Sequence, residues 1–186
     1  MNKDFSSFKL KIDWKPNAYH RKTVRGNISN TLWTKIRLQV LENNNCKCNI
    51  CGYTPAEKSE LRNLHVHEIE EYGQEELVCT LKELSLICKS CHAFHHIGLT
   101  FTKSSRERIE ELIQHFKKVN NCTEEDYRDY IETVRKERPP LVIPSIEERM
   151  KNRDKSKTVK FCVDGDIPYK GEVISQLKKK GLYYEV

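Results

Sequence analysis

Cys48-Asn49-Ile50-Cys51-Gly52 and Cys88-Lys89-Ser90-Cys91-His92-Ala93-Phe94-His95-His96 are the two stretches on which the reading of this sequence turns. Each contains a C-x-x-C knuckle, which presents two thiolates from one tight turn. Zinc takes soft thiolates in a tetrahedron. Two knuckles separated by a foldable segment therefore predict one structural zinc ion on Cys48, Cys51, Cys88 and Cys91. A redox pair would need one knuckle beside a βαβ pattern, and neither motif has that context. A set of buried free thiols is the remaining alternative. Cys46 could take the place of Cys48, but the glycine after Cys51 favours Cys48, because such knuckles tighten at glycine. Cys79, Cys122 and Cys162 read as small core residues.

The redox setting agrees with a metal. The N-terminal MNKDFSSFKLKIDW lacks the continuous apolar stretch of a signal peptide. No run of about 18 apolar residues suggests a membrane span. A cytoplasmic protein with reduced thiols is expected, so its eight cysteines do not read as disulfides. With 37% hydrophobic and 32% charged residues, the 186-residue chain can form a core, though not a large one.

Outward from the knuckles, three regions are expected. Residues 1–28 read as a basic, irregular N-terminal arm. Residues 29–150 read as the zinc-stabilised domain with a helical extension, and residues 151–186 as a linker and a small C-terminal appendage. Asn30 or Ser29 caps a helix running to about Glu42, with Leu32, Ile36 and Val40 on one face. LHVHEI, residues 64–69, reads as a short strand, and the acidic residues 70–80 as loop. LKELSLICKS, residues 81–90, leads into CHAFHHIG as the start of a helix. After a break at Gly98, Ser104 or Ser105 caps a further helix with Ile109, Leu112, Ile113, Phe116 and Val119 inward, stopped at Asn120 and Asn121. Thr123 caps another, with Tyr127, Tyr130, Ile131 and Val134 inward, broken by Pro139 and Pro140. SIEE at 145–148 has the form of a capping box, and MKNRDKSK of a linker. The tail pattern is strand, DGD turn, helix closed by a C′ glycine, and the strand LYYEV.

The net charge of +6 is uneven. Residues 1–47 hold 10 basic against 3 acidic side chains, residues 151–186 hold 9 against 5, and residues 48–150 hold 14 against 19. Basic ends around an acidic centre suit a protein that grips a polyanion and holds metal in its middle; solvated surface charge is the plainer reading.

Five of the seven histidines lie within residues 65–96. His92 and His96 are spaced to share a helix face, and His65 and His67 to share a strand face. A zinc clamp holding that strand against that helix would let His67 meet His92 and His96 around a second ion.

LHVHEI followed by LSLICKSCHAFHH, set between C-x-x-C pairs, resembles the HNH, or ββα-metal, nuclease superfamily. CHAFHHIG in particular is similar to uncharacterised bacterial HNH-like proteins that combine a His-Glu pair with a C-x-x-C-H-x-x-x-H-I-G ending. GNISNTLWTKIRLQV upstream and ERIEELIQHFKKVNNCTEEDYRDYI downstream share the resemblance, which covers about residues 20–138 but not the tail. It implies an α+β fold: a zinc-clamped ββα-metal core, flanking α-helices and a small C-terminal β-α-β-like appendage. It also implies a metal-dependent endonuclease acting on nucleic acid, DNA above all. His67, His92 and His96 would hold a catalytic divalent cation such as Mg²⁺ or Mn²⁺. Glu68 would stand at the general-base position. Arg21, Lys22 and Arg25 would contact the phosphate backbone. Two positions depart from the family pattern: the base is Glu68 rather than histidine, and Glu83 falls near the place of the orienting asparagine. An unperturbed glutamate is a weak base unless desolvated. The alternatives are a zinc-binding module that binds nucleic acid or a protein partner without cutting, and a second structural metal site on the same histidines.

Overall fold

The computed structural model describes residues 3–73, 76–137, 147, 150 and 159–185. It is an α+β structure in two units: Met1–Trp14 with Lys47–His65 and Ile87–Val142, and Lys15–Cys46 with Val66–Leu86 and Ile143–Val186. Two long strands carry the chain from one unit to the other. β1 (Leu64–Tyr72) passes between them after His65, and β2 (Val78–Cys88) after Leu86. No helix among the described residues is long and apolar enough to cross a membrane. Pro139, Pro140, the SIEE capping box and the MKNRDKSK linker lie wholly or mostly outside the described residues.

In the second unit, Ser29 caps α1 (Asn30–Asn43), its hydroxyl accepting from Leu32 N at 3.2 Å. Leu32, Ile36 and Val40 are buried, as their spacing predicts. The sheet order is β1-β2-β3, with β3 (Lys160–Val163) parallel to β2 and Val78 opposite Lys160 through Leu81 opposite Val163. The tail thus adds its first strand to the central sheet. Its helix α6 (Lys170–Lys179) buries Val173 and Leu177, and the chain returns to bridge Phe161 with Tyr183 in parallel. At the turn after β3, the Asp164 and Gly165 amides both donate to Leu81 O at 3.1 Å. A Cβ on Gly165 would lie 1.8 Å from the Lys82 carbonyl oxygen, so only glycine fits there.

The first unit is mainly helical: α2 (Lys89–His95), α3 (Ile97–Lys103), α4 (Arg106–Asn120) and α5 (Glu124–Glu137). Ser105 caps α4, and Asn121 ends it in the left-handed conformation at φ 47°. Thr123 caps α5, its hydroxyl accepting from Asp126 N at 3.1 Å. Phe116 sits at the centre, with ring centroids 5.1 Å from Phe94, 5.2 Å from Tyr127 and 5.5 Å from Tyr130.

Several expectations change. Among the described residues LYYEV forms no strand and makes only the bridge at Tyr183, and Gly98 lies inside α3 rather than at a break. The acidic stretch 70–80 is mostly strand, because β1 runs to Tyr72 and β2 starts at Val78. Glu70 enters the strand because its side chain, only 4% exposed, pairs with Lys15. The N-terminal residues are irregular but anchored by apolar side chains. Leu10 is buried in the first unit, and Tyr19, Val24 and Ile28 in the second. The Asn120 side chain pins Leu10, accepting its N–H and donating to its carbonyl, both at 2.9 Å.

Candidate metal centre

The first knuckle is built by backbone turns. Gly52 N donates to Cys48 O at 2.9 Å, Cys48 N donates to Tyr53 O at 2.9 Å, and Gly52 takes φ +75°. The second knuckle opens α2: Cys88 is its N-cap, and its sulfur accepts from Cys91 N at 3.5 Å. Both lie in the first unit and meet there. The sulfurs of Cys48, Cys51, Cys88 and Cys91 all fall within 4.8 Å of one another. Cys48 and Cys91 sulfurs are 3.9 Å apart, and those of Cys51 and Cys88 3.6 Å. A tetrahedron with Zn–S bonds of about 2.3 Å has edges of about 3.8 Å, so the donor set fits zinc in number, chemistry and spacing. All four cysteines are free thiols.

Crowding divides the protons among these thiols. Hydrogen bonding from Cys51 holds Cys48 down at about 6. Cys88 is also lowered, Cys48 being its strongest partner, while Cys51 and Cys91 are raised, each chiefly by Cys48. Lowered thiols at Cys48 and Cys88 favour the thiolate form that a soft cation binds. Cys46 is not in the group; it sits in the turn after α1, where its N–H donates to Leu41 O at 2.8 Å. Cys79 and Cys162 are buried and Cys122 half-buried.

The histidines beside the second knuckle cluster in the same unit. His92 and His96 rings are 4.7 Å apart, and His65 Nδ1 is 3.3 Å from His92 Nδ1. His96 does not continue α2, however. With φ −129° and ψ 36° it forms the junction to α3, and the contact with His92 is made across that break rather than along one helix face. His95 pairs with Asp13.

His67 and Glu68 belong to the second unit. Consecutive strand residues point to opposite faces, so on β1 His67 shares a face with His65, and Glu68 shares one with Glu70. Glu68 Oε1 accepts the Arg25 backbone N–H at 2.9 Å. Burial pushes the Glu68 carboxyl up to about 7, against the opposing pull of that hydrogen bond. The exposed Arg25 guanidinium lies 5.0 Å from the Trp33 ring centroid. Arg21 is exposed in a left-handed turn at φ 62°, and Lys22 is half-buried with its carbonyl accepting from Lys15 Nζ at 2.7 Å. Glu83 is an exposed residue of β2.

One residue in contact with the cysteine group carries little signal in the sequence. His115, on α4, places Nε2 3.2 Å from the Cys91 sulfur. Its only signal in the sequence is a spacing of seven from Arg108, two helical turns along one stripe.

No family model matches the chain, and no curated protein or solved structure matches it.

Proposed function

We propose that the chain is a zinc-clamped, metal-dependent endonuclease of the HNH kind, hydrolysing phosphodiester bonds in nucleic acid, DNA foremost. The observation that carries this reading is the histidine cluster of His65, His92 and His96 set directly beside the four-cysteine group. The zinc ion would supply architecture. His67, His92 and His96 are assigned to a second divalent cation such as Mg²⁺ or Mn²⁺, which polarises the phosphate and stabilises the leaving oxygen. Glu68 is assigned to the attacking water. Its carboxyl, raised to about 7, suits a base working near neutral pH better than an ordinary glutamate does. Arg21, Lys22 and Arg25 are assigned to sequence-neutral phosphate contacts, which weaken with salt.

A second reading has its own support. His67 and Glu68 point to opposite faces of β1, as consecutive strand residues do. The base position also holds Glu68 where the resembling family has histidine, and that departure favours a zinc-stabilised module that binds nucleic acid or a protein without cutting it. Plasmid nicking with Mg²⁺ or Mn²⁺ separates the two. The endonuclease reading expects wild type to nick and both His92→Ala and Glu68→Gln to lose at least about tenfold in rate. A wild-type chain that binds plasmid and leaves it supercoiled in every metal would leave only the second reading.

A further inference from the structure

We propose that His115 is the fifth residue of the zinc centre, an outer partner that donates its Nε2–H to the Cys91 thiolate and ties α4 to the second knuckle. The inference rests on the zinc reading and is independent of the nuclease reading.

His115 Nε2 lies 3.2 Å from Cys91 Sγ. A zinc-bound thiolate can only accept, so the proton between them belongs to Nε2. Backbone amides also reach these sulfurs, among them Cys88 N to Cys48 Sγ at 3.2 Å and Cys91 N to Cys88 Sγ at 3.5 Å. His115 does the same work for Cys91 from a side chain. Four thiolates around one Zn²⁺ leave two excess negative charges in a largely buried place. Each N–H aimed at a sulfur draws off part of that charge and lowers the thiolate's reactivity.

The helix is positioned for this. Arg108, two turns before His115, donates to Ser90 Oγ at 3.2 Å, and Ser90 lies between Cys88 and Cys91. Leu112 and Phe116 are fully buried and hold α4 in the core of the first unit. α4 therefore meets the second knuckle twice, through Arg108 on Ser90 and His115 on Cys91. Metal loading and helix docking become coupled through Cys91.

The test is the rate at which purified, zinc-loaded chain surrenders zinc to a chromogenic chelator, with alkylation of Cys91 followed by peptide mass mapping. His115→Ala should release zinc about tenfold faster, the usual effect of removing an outer partner, and expose Cys91 to faster alkylation. His115→Gln, whose amide can donate to the same sulfur, should restore most of the wild-type rate. Arg108→Ala removes the Ser90 contact without touching a sulfur and should speed zinc release much less than His115→Ala. If His115→Ala does not fold, His115→Phe keeps the ring and drops the donor. Equal release from wild type and the donor-less variant overturns the inference and leaves the zinc reading standing. Failure of His115→Gln to rescue also overturns it, because the effect would then be packing. Wild type purified without zinc overturns the zinc reading itself.

Discussion

The backbone N–H of Arg25 donates to Oε1 of Glu68 at 2.9 Å, joining residues 43 positions apart. That bond stabilises the charged carboxylate, yet burial outweighs it and leaves the carboxyl at about 7. The folded state therefore holds a proton that the unfolded chain releases near 4.5. The stabilisation is complete below pH about 4.5 and is lost as pH rises through about 7, a loss of up to about 3 kcal/mol at 1.36 kcal/mol per pKa unit. Glu68→Gln should flatten this part of the profile and be the more stable form at pH 8. Urea midpoints for both proteins at pH 5 and pH 8 check it, and identical pH slopes would refute it.

Zinc content should follow Cys48 and not Cys46. Cys48→Ser removes a ligand and should abolish stoichiometric zinc and melt the first unit, because binding energy at a structural site is folding energy. Cys46→Ser should keep full zinc and lose less than about 1 kcal/mol, since it changes a half-buried turn residue outside the cluster. Metal analysis and circular dichroism on both variants decide this.

Gly165→Ala should cost about 3 kcal/mol or more, because the new Cβ would lie 1.8 Å from a backbone oxygen that cannot swing aside. Hydrogen exchange should show the amides of β3 losing protection first. Gly171→Ala is the control: a Cβ there meets nothing within 4 Å.

Asn120→Ala should destabilise by about 2 kcal/mol, since it leaves both backbone groups of the fully buried Leu10 without their partner. Asn120→Asp keeps the acceptor for Leu10 N–H and loses the donor to its carbonyl, so it should fall between. Thermal melts of the three proteins rank them.

Two helices of the first unit, α4 and α5, were legible because their signals are local, whereas α3 runs through Gly98, where the sequence suggests a break. Ser105 and Thr123 cap adjacent helices, Asn121 takes the left-handed stop, and the apolar period of α4 buries Leu112 and Phe116. β1 outruns the strand its sequence suggests, and β2 carries no strand signal, for the opposite reason. Glu70 looks like loop until Lys15, 55 residues earlier, neutralises it. β2 buries five consecutive residues, Leu84 to Cys88, so it shows no alternation there. Its pairing with the distant β3 is likewise invisible in either segment alone.

The four zinc ligands lie at the boundary between these cases. C-x-x-C spacing fixes the geometry of each knuckle, because two thiolates three residues apart share one turn, and that much is carried by the chain locally. Choosing Cys48 over Cys46, meeting the second knuckle, and bringing His115 to Cys91 all depend on where β2, α2 and α4 pack. Short-range spacing encodes turns. Encounters across tens of residues are decided by burial, which no single segment holds.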